Sequence, residues 1–327
     1  EAGAGYESDR GLFGELALGD HNALGLGQYG RALAQISEIG YRGELALRYP
    51  RLAGTPFEVE LGAYSERKEE FNLDFGTTVW GLYGNLQRER FHNLDIGLAL
   101  ALEHRDQFSK TSGSGLFSGD EGDSRDPRTI FTVAPFVILD LRDSFIRPRK
   151  GLYSHLQLDF SNGFENDLDD FTKLRWDLKG YISPWSRLTL AALGRIGNIR
   201  PWGGSDQVPE DQLFYLGGIR DVRGFDENLL WRDENGDALG GKHSAAGSLE
   251  ARLDLGRNLE LTLFYDIGRL SRATQVEESS SDWRESAGLG LWYHTPVGPI
   301  GVLYGWKLDR RSGEDPGQFH FSIGYTF

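Results

Sequence analysis

The 327-residue chain contains no cysteine and no methionine. The first absence excludes a disulfide framework and thiolate chemistry. Nothing in the sequence accounts for the second. Long apolar runs are missing too: no stretch reaches eighteen apolar residues and mean hydropathy is −0.44, so no transmembrane helix is expected. A membrane β-barrel survives that test, because its strands hide their apolar face in every second residue. Basic charge is in deficit, with 35 Lys and Arg against 49 Asp and Glu and a net charge of −14. Phosphate backbones need a basic surface, so nucleic acid is not an expected partner. Residue 1 brings neither an initiator Met nor a signal peptide, which points to a processed chain or an excised domain. What is plentiful is glycine, at 44, and aromatic residues, at 12%. That profile suits strands with girdle aromatics better than helices.

Period two dominates the chain. Tyr41, Leu45, Leu47 and Tyr49 oppose Arg42, Glu44 and Arg48, and Phe57, Val59, Leu61 and Ala63 oppose Glu58 and Glu60. Leu174, Trp176, Leu178 and Ile182 oppose Lys173, Arg175, Asp177, Lys179 and Tyr181. Leu259, Leu261, Leu263, Tyr265 and Ile267 oppose Glu260, Thr262 and Asp266. Such alternation defines strands with one apolar and one polar face. A soluble sandwich produces the same pattern. Three features favour a barrel in lipid. The segments are long enough for a tilted span. Their polar faces mix both charge signs, as a hydrated lumen requires. Tight connections (184–186, 256–258) also alternate with long acidic ones (105–128, 161–170, 200–243, 271–283), as in outer-membrane barrels.

Counting segments gives strands at 1–8, 11–19, 29–37, 40–49, 56–66, 70–86, 91–104 and 129–142. It continues with 151–162, 171–184, 187–199, 243–256, 258–271, 283–295, 298–310 and 317–327. The expected fold is therefore all-β: an antiparallel transmembrane β-barrel of about sixteen strands, an even number as single-chain barrels require. The whole chain, 1–327, reads as one barrel domain, with no helical stretch.

Other chemistry is thin. The seven histidines are scattered without ligand spacing, and no metal or cofactor is expected. Asp233–Asp237 resembles the start of a calcium loop, but Ala238 and Ser244 stand where Gly and Glu are needed, which favours a polar turn. Gly25, Gly27 and Gly30 fit dinucleotide-binding spacing, yet no helix follows, so a Gly-rich turn is the better account.

Two features remain. The loop of about forty residues before residue 243 is longer than compact domains usually tolerate without a function. Its tip reads Val222-Arg223-Gly224-Phe225, one Arg between apolar neighbours. The final segment places Phe319, Phe321, Ile323, Tyr325 and Phe327 on one face and ends on an aromatic. Together with Asp140-Leu141-Arg142-Asp143, Pro148-Arg149-Lys150-Gly151 and the closing Gly324-Tyr325-Thr326-Phe327, the loop tip resembles the BamA-like outer-membrane assembly family. This is the surface-antigen superfamily that also holds TamA and the two-partner secretion transporters. The likeness spans essentially the whole chain in order, and Tyr304 to Arg310 lie closer to BamA than to its secretion relatives.

The resemblance implies a sixteen-stranded barrel whose sixth outer loop folds into the lumen, where Arg223 meets Glu250 and Asp266. Parity agrees independently, since Glu250 opposes Leu249, Ala251, Leu253 and Leu255, while Asp266 opposes Leu263, Tyr265 and Ile267. A planar guanidinium that stays charged suits two carboxylates. The ordinary alternative for Arg223 is a solvated loop residue. The first segment, with Gly3, Gly5 and only Tyr6 as a large apolar residue, must close the barrel against 317–327. Glycine weakens strands, so this seam is the expected working site, unless residues 1–8 are a frayed end. The implied function is insertion of nascent outer-membrane proteins through the seam, without enzyme chemistry. The implied partners are those proteins, the lipid bilayer with lipopolysaccharide, and periplasmic lipoprotein subunits bound through upstream POTRA domains that this chain lacks. The alternatives are a secretion transporter of the same superfamily and a passive porin.

Overall fold

A computed structural model describes all residues except 26, 89–92, 111–125, 166, 205–206, 274–277, 296–297 and 324–327. Among them are three 3-10 turns and no α-helix. The first half of the chain forms β1 (Ala2–Glu7), β2 (Gly11–Asp20), β3 (Tyr29–Ser37), β4 (Gly40–Tyr49), β5 (Phe57–Lys68), β6 (Phe75–Arg88), β7 (Leu94–Ser109) and β8 (Arg128–Asp140). The second half forms β9 (Gly151–Gly163), β10 (Phe171–Trp185), β11 (Leu188–Pro201), β12 (His243–Gly256) and β13 (Leu259–Ala273). It ends with β14 (Glu278–Ser280), β15 (Arg284–Thr295), β16 (Gly298–Lys307) and β17 (Gly317–Ile323). Apart from β14, each strand pairs antiparallel with its neighbours along the chain, and β1 returns to β17, so the sheet closes on itself. Both β14 and β15 pair with β13, at Ala273↔Glu278 and Gly268↔Arg284. They are one stave interrupted at 281–283, and the barrel has sixteen.

Closure sorts the side chains as period two demands. Leu45, Leu61, Trp80, Leu82, Leu249 and Leu263 lie exposed on the outer wall. Large apolar surface left open around a whole barrel is a lipid-facing band. The opposite parity fills the lumen with ion pairs: Arg31–Glu44 at 2.6 Å, Arg42–Glu66 at 2.8 Å and Arg175–Asp159 at 2.7 Å. Each closes between neighbouring strands, so carboxylates that would otherwise repel across the lumen are held in ladders.

Connections alternate in length. Arg257 and Asn258 turn β12 into β13 with φ of 52° and 65°, the paired left-handed conformation of a two-residue hairpin turn. At the other end runs the connection between β11 and β12. Several boundaries differ from the sequence expectation. The sixth strand begins at Phe75 rather than 70, because Asn72 takes a left-handed φ of 60° and residues 69–74 make a turn. β7 continues to Ser109, paired with Phe75, so the loop expected from 105 starts later. Likewise β13 runs to Ala273, shortening the loop expected at 271–283.

Candidate functional site

The loop 202–242 turns into the barrel instead of standing above it. Isolated bridges Phe214↔Gly241 and Arg232↔Ala238 narrow its neck. Its tip buries Val222 and Phe225 completely, packed with Leu216 and Leu230 of the loop and Leu270 of β13. Apolar burial therefore draws the tip onto the β13 wall, and the charge beside it must be matched there.

Arg223 is matched on three sides. Nε donates to Asp266 Oδ2 at 2.9 Å and Nη2 to Asp266 Oδ1 at 2.7 Å, a bidentate pair. Nη1 reaches Glu250 Oε1 at 2.7 Å, and Nη2 also meets Ser248 Oγ at 2.8 Å. The guanidinium stands 3.7 Å over the Phe264 ring. The backbone takes part as well. Arg223 N–H donates to Asp266 Oδ2 at 3.0 Å, Gly224 N–H to Ser286 Oγ at 3.1 Å, and His320 Nε2 bonds the Arg223 carbonyl at 2.9 Å. The chain comes this close to β16 because Gly305 has no side chain: a Cβ there would lie 2.4 Å from the Arg223 oxygen. Phe225 is held between Arg284, 4.5 Å from its ring centre, and Lys307 at 5.1 Å. Glu250 is shared, since Arg252 binds its second oxygen at 2.5 Å.

Two further anchors carry no signal in the sequence, because loop residues have no parity to read. Asp211 joins Arg105 of β7 at 3.0 Å and Arg128 of β8 at 2.8 Å. Burial opposes its ionisation, but the two guanidiniums outweigh that and hold its carboxyl below the usual range. Arg220 reaches Glu7 of β1 at 3.1 Å and Asp9 at 2.6 Å. Glu227, in the same loop, is pushed up to about 9 by burial and then by Asp9, Asp221 and Glu70. Beside the loop, toward β1–β7, are two charged cavities of about 370 and 320 Å³. Phe214, Asp211 and Arg42 line the first; Arg220, Phe13 and Glu15 line the second.

At the seam, β1 and β17 share two register pairs among the described residues, Tyr6↔Ile323 and Glu7↔Ser322. On its other side β17 runs in register with β16 from Ile300↔Ile323 to Trp306↔Gly317. Gly3 pairs with Glu15 in β2, and at Gly5 a Cβ would lie 2.2 Å from the Ile323 carbonyl oxygen, so the closest approach of the two strands needs glycine. The Tyr6 and Phe321 rings meet at a tilt, 5.8 Å between centres, while Phe319 is exposed on the outer wall. Gly324, Tyr325 and Phe327 lie outside the described residues.

The Asp140–Gly151 motif builds the turn from β8 to β9. Asp140 holds Arg142 at 2.9 and 3.0 Å, and Asp143 Oδ1 accepts the backbone N–H groups of Arg149 and Lys150 at 2.9 and 3.1 Å. Pro148 is buried. Gly151 sits at φ 111° with the Leu141 oxygen where a Cβ would go, so no other residue fits.

A closed antiparallel barrel that is apolar outside, ion-paired inside and occupied by its own longest loop is a transmembrane β-barrel with an internal plug. Among such proteins it has a family. The model of the Omp85 superfamily domain matches residues 22–327, and the chain belongs to that superfamily. It is 28% identical over 263 residues to the outer membrane protein assembly factor BamA of Nitratidesulfovibrio vulgaris, covering 78% of this chain and 30% of that protein. It is 25% identical over 338 residues to BamA of Neorickettsia risticii, covering 99% of this chain and 44% of that one. The chain thus spans less than half the length of these curated relatives. Among solved structures, BamA from Haemophilus ducreyi lacking POTRA domains 1–3 superposes with a TM-score of 0.83 at 18% identity, covering all of this chain and 69% of that one. The barrel is BamA-like, and its place is the bacterial outer membrane.

Proposed function

We propose that this barrel is the membrane-embedded part of an outer-membrane protein assembly factor and that it inserts nascent β-barrel proteins through the seam between β1 and β17. One observation carries the reading: β1 brings Gly3 and Gly5 to the closing pair, and at Gly5 a Cβ would lie 2.2 Å from the Ile323 carbonyl oxygen, so no side chain packs across the joint there. Glycine weakens a strand and gives little to pack, so the seam is the least costly place to open. An opened edge presents unpaired N–H and C=O groups, which template an incoming strand. The relatives named as assembly factors support the same direction.

In this reading the Arg223 contacts with Asp266 and Glu250 lock the loop against the wall that stays closed, and the Asp140–Gly151 turn fixes the β8–β9 hairpin. Nascent outer-membrane proteins are the substrates. Further periplasmic domains would dock lipoprotein subunits, and the outer rim would meet lipopolysaccharide.

The seam can be tested directly because the chain has no cysteine of its own. Tyr6→Cys with Ile323→Cys places thiols at paired positions. In the full-length protein reconstituted into liposomes, oxidation should abolish insertion of a substrate barrel, and reduction should restore it. Full insertion by the oxidised form refutes the seam mechanism. Retained insertion with lost export of a soluble polypeptide would instead identify a secretion transporter.

A further inference from the structure

The chain is acidic overall, yet one rim of the barrel is not. On the tight-turn end, opposite the long loops, three successive connections lie side by side along the β8–β13 wall: 141–150, 186–187 and 257–258. They are tied to one another. The Arg149 guanidinium donates to the Ser186 carbonyl, and Asp254 N–H donates to the Arg187 carbonyl at 2.8 Å. Lys150, Arg187 and Arg257 on them are exposed. The acids of the same turns face elsewhere or are occupied. Glu260 takes Arg147 at 2.6 Å across the lumen mouth, and Asp143 Oδ1 accepts two backbone amides.

Large apolar side chains accompany these cations. Phe145 is 73% exposed, Ile146 65% and Trp185 69%. Trp185 pairs with Leu188 at the edge of the outer apolar band, next to exposed Ile182. The aromatic therefore marks where hydrocarbon ends, and the three cations stand just beyond it. Phosphates occupy that depth in a bilayer, and an aromatic with neighbouring Lys and Arg is the usual interfacial pairing.

We propose that this collar binds the headgroups of anionic phospholipids in the periplasm-facing leaflet, anchoring the β8–β13 wall. The bonds between turns preorganise the cations, so little ordering is lost on binding. Continuity with the lipid-facing band favours a lipid over an acidic polypeptide, which would dock clear of the hydrocarbon edge. The inference needs only the barrel and its orientation, and stands apart from the insertase reading.

Electron paramagnetic resonance of spin-labelled lipids tests it. The barrel is reconstituted in phosphatidylcholine, and association of labelled phosphatidylglycerol is compared with that of labelled phosphatidylcholine. The wild type should favour phosphatidylglycerol. The triple variant Lys150→Gln/Arg187→Gln/Arg257→Gln should lose that preference while keeping the heat-dependent gel mobility of a folded barrel. Arg310→Gln/Arg311→Gln, which removes charge from the opposite end, should retain it. The proposal is overturned by a wild type without preference, by a triple variant that keeps it, or by an equal loss in the opposite-end control. Absent lipid preference combined with collar-dependent binding of polyglutamate would assign the surface to an acidic polypeptide instead, and equally overturn it.

Discussion

Removing the Arg223 side chain tests the loop lock most directly. Arg223→Ala deletes four side-chain hydrogen bonds and the contact with Phe264. The two carboxylates then fare differently. Glu250 keeps Arg252. Asp266, wholly buried, keeps only the Ser248 hydroxyl at 2.7 Å and the backbone N–H of residue 223. Breaking one partner from a buried ion pair costs roughly 3–5 kcal/mol. The retained donors place this case near the lower end, about 3 kcal/mol. The readout is the urea midpoint of the barrel in micelles, followed by the gel mobility of unheated samples. Arg223→Lys should recover part of the loss, since a point charge cannot span Asp266 and Glu250 as a planar fork does. Arg223→Met combined with Asp266→Leu should recover most of it, because Asp266 is then no longer stranded and Glu250 keeps Arg252, so no buried charge is left unpaired. An Arg223→Ala variant with an unchanged midpoint refutes the desolvated clamp. A double variant no better than the single would show that the loss is not stranded charge.

Asp211→Ala should cost about 3 kcal/mol, for it leaves Arg128 to Asp169 and Arg105 to Glu103. Limited proteolysis of the loop neck would detect the loosened anchor, and unchanged cleavage would count against it. Glu227 gives a pH dependence. Its folded pKa, about 9, lies above the ordinary 4.5, so its contribution is fully present below pH 4.5 and is lost as pH rises toward 9. Glu227→Gln should therefore raise the thermal midpoint at pH 8 and leave it unchanged at pH 4.5. A constant difference across that range would remove Glu227 as the cause.

How far the sequence carries depends on which side of a strand a residue occupies. β3 and β4 follow their expected limits, 29–37 and 40–49, because charged and apolar faces separate cleanly and Ser37 to Gly40 mark the turn. The same parity put Glu250 and Asp266 in the lumen, where they bind Arg223. It misled at 70–74. There Phe71, Leu73 and Phe75 alternate as in a strand, but Leu73 is buried within a turn, so the apolar period outlasts the ladder. Loop residues offer no period at all. Asp211 and Arg220 look like ordinary solvated charges in the sequence, and only the inward fold of the chain brings them to Arg105, Arg128, Glu7 and Asp9. His320 sits between, since its parity points it inward but nothing local names the Arg223 carbonyl as its partner.

The tip of the plug leans on one wall. With the contacts of residues 222–225 gathered on β12–β17, the lumen beside β1–β7 keeps two cavities, each large enough for on the order of ten water molecules. The second reaches Asp9, Phe13 and Glu15, behind the first hairpin. Peptide groups released there on parting from β17 would meet water on one side, not hydrocarbon on both. In lipid, each unsatisfied backbone group costs several kcal/mol; against a wet crevice the exchange approaches the modest net value found in aqueous solution. If the seam opens as proposed, an off-centre plug leaves solvent beside the strand that must part.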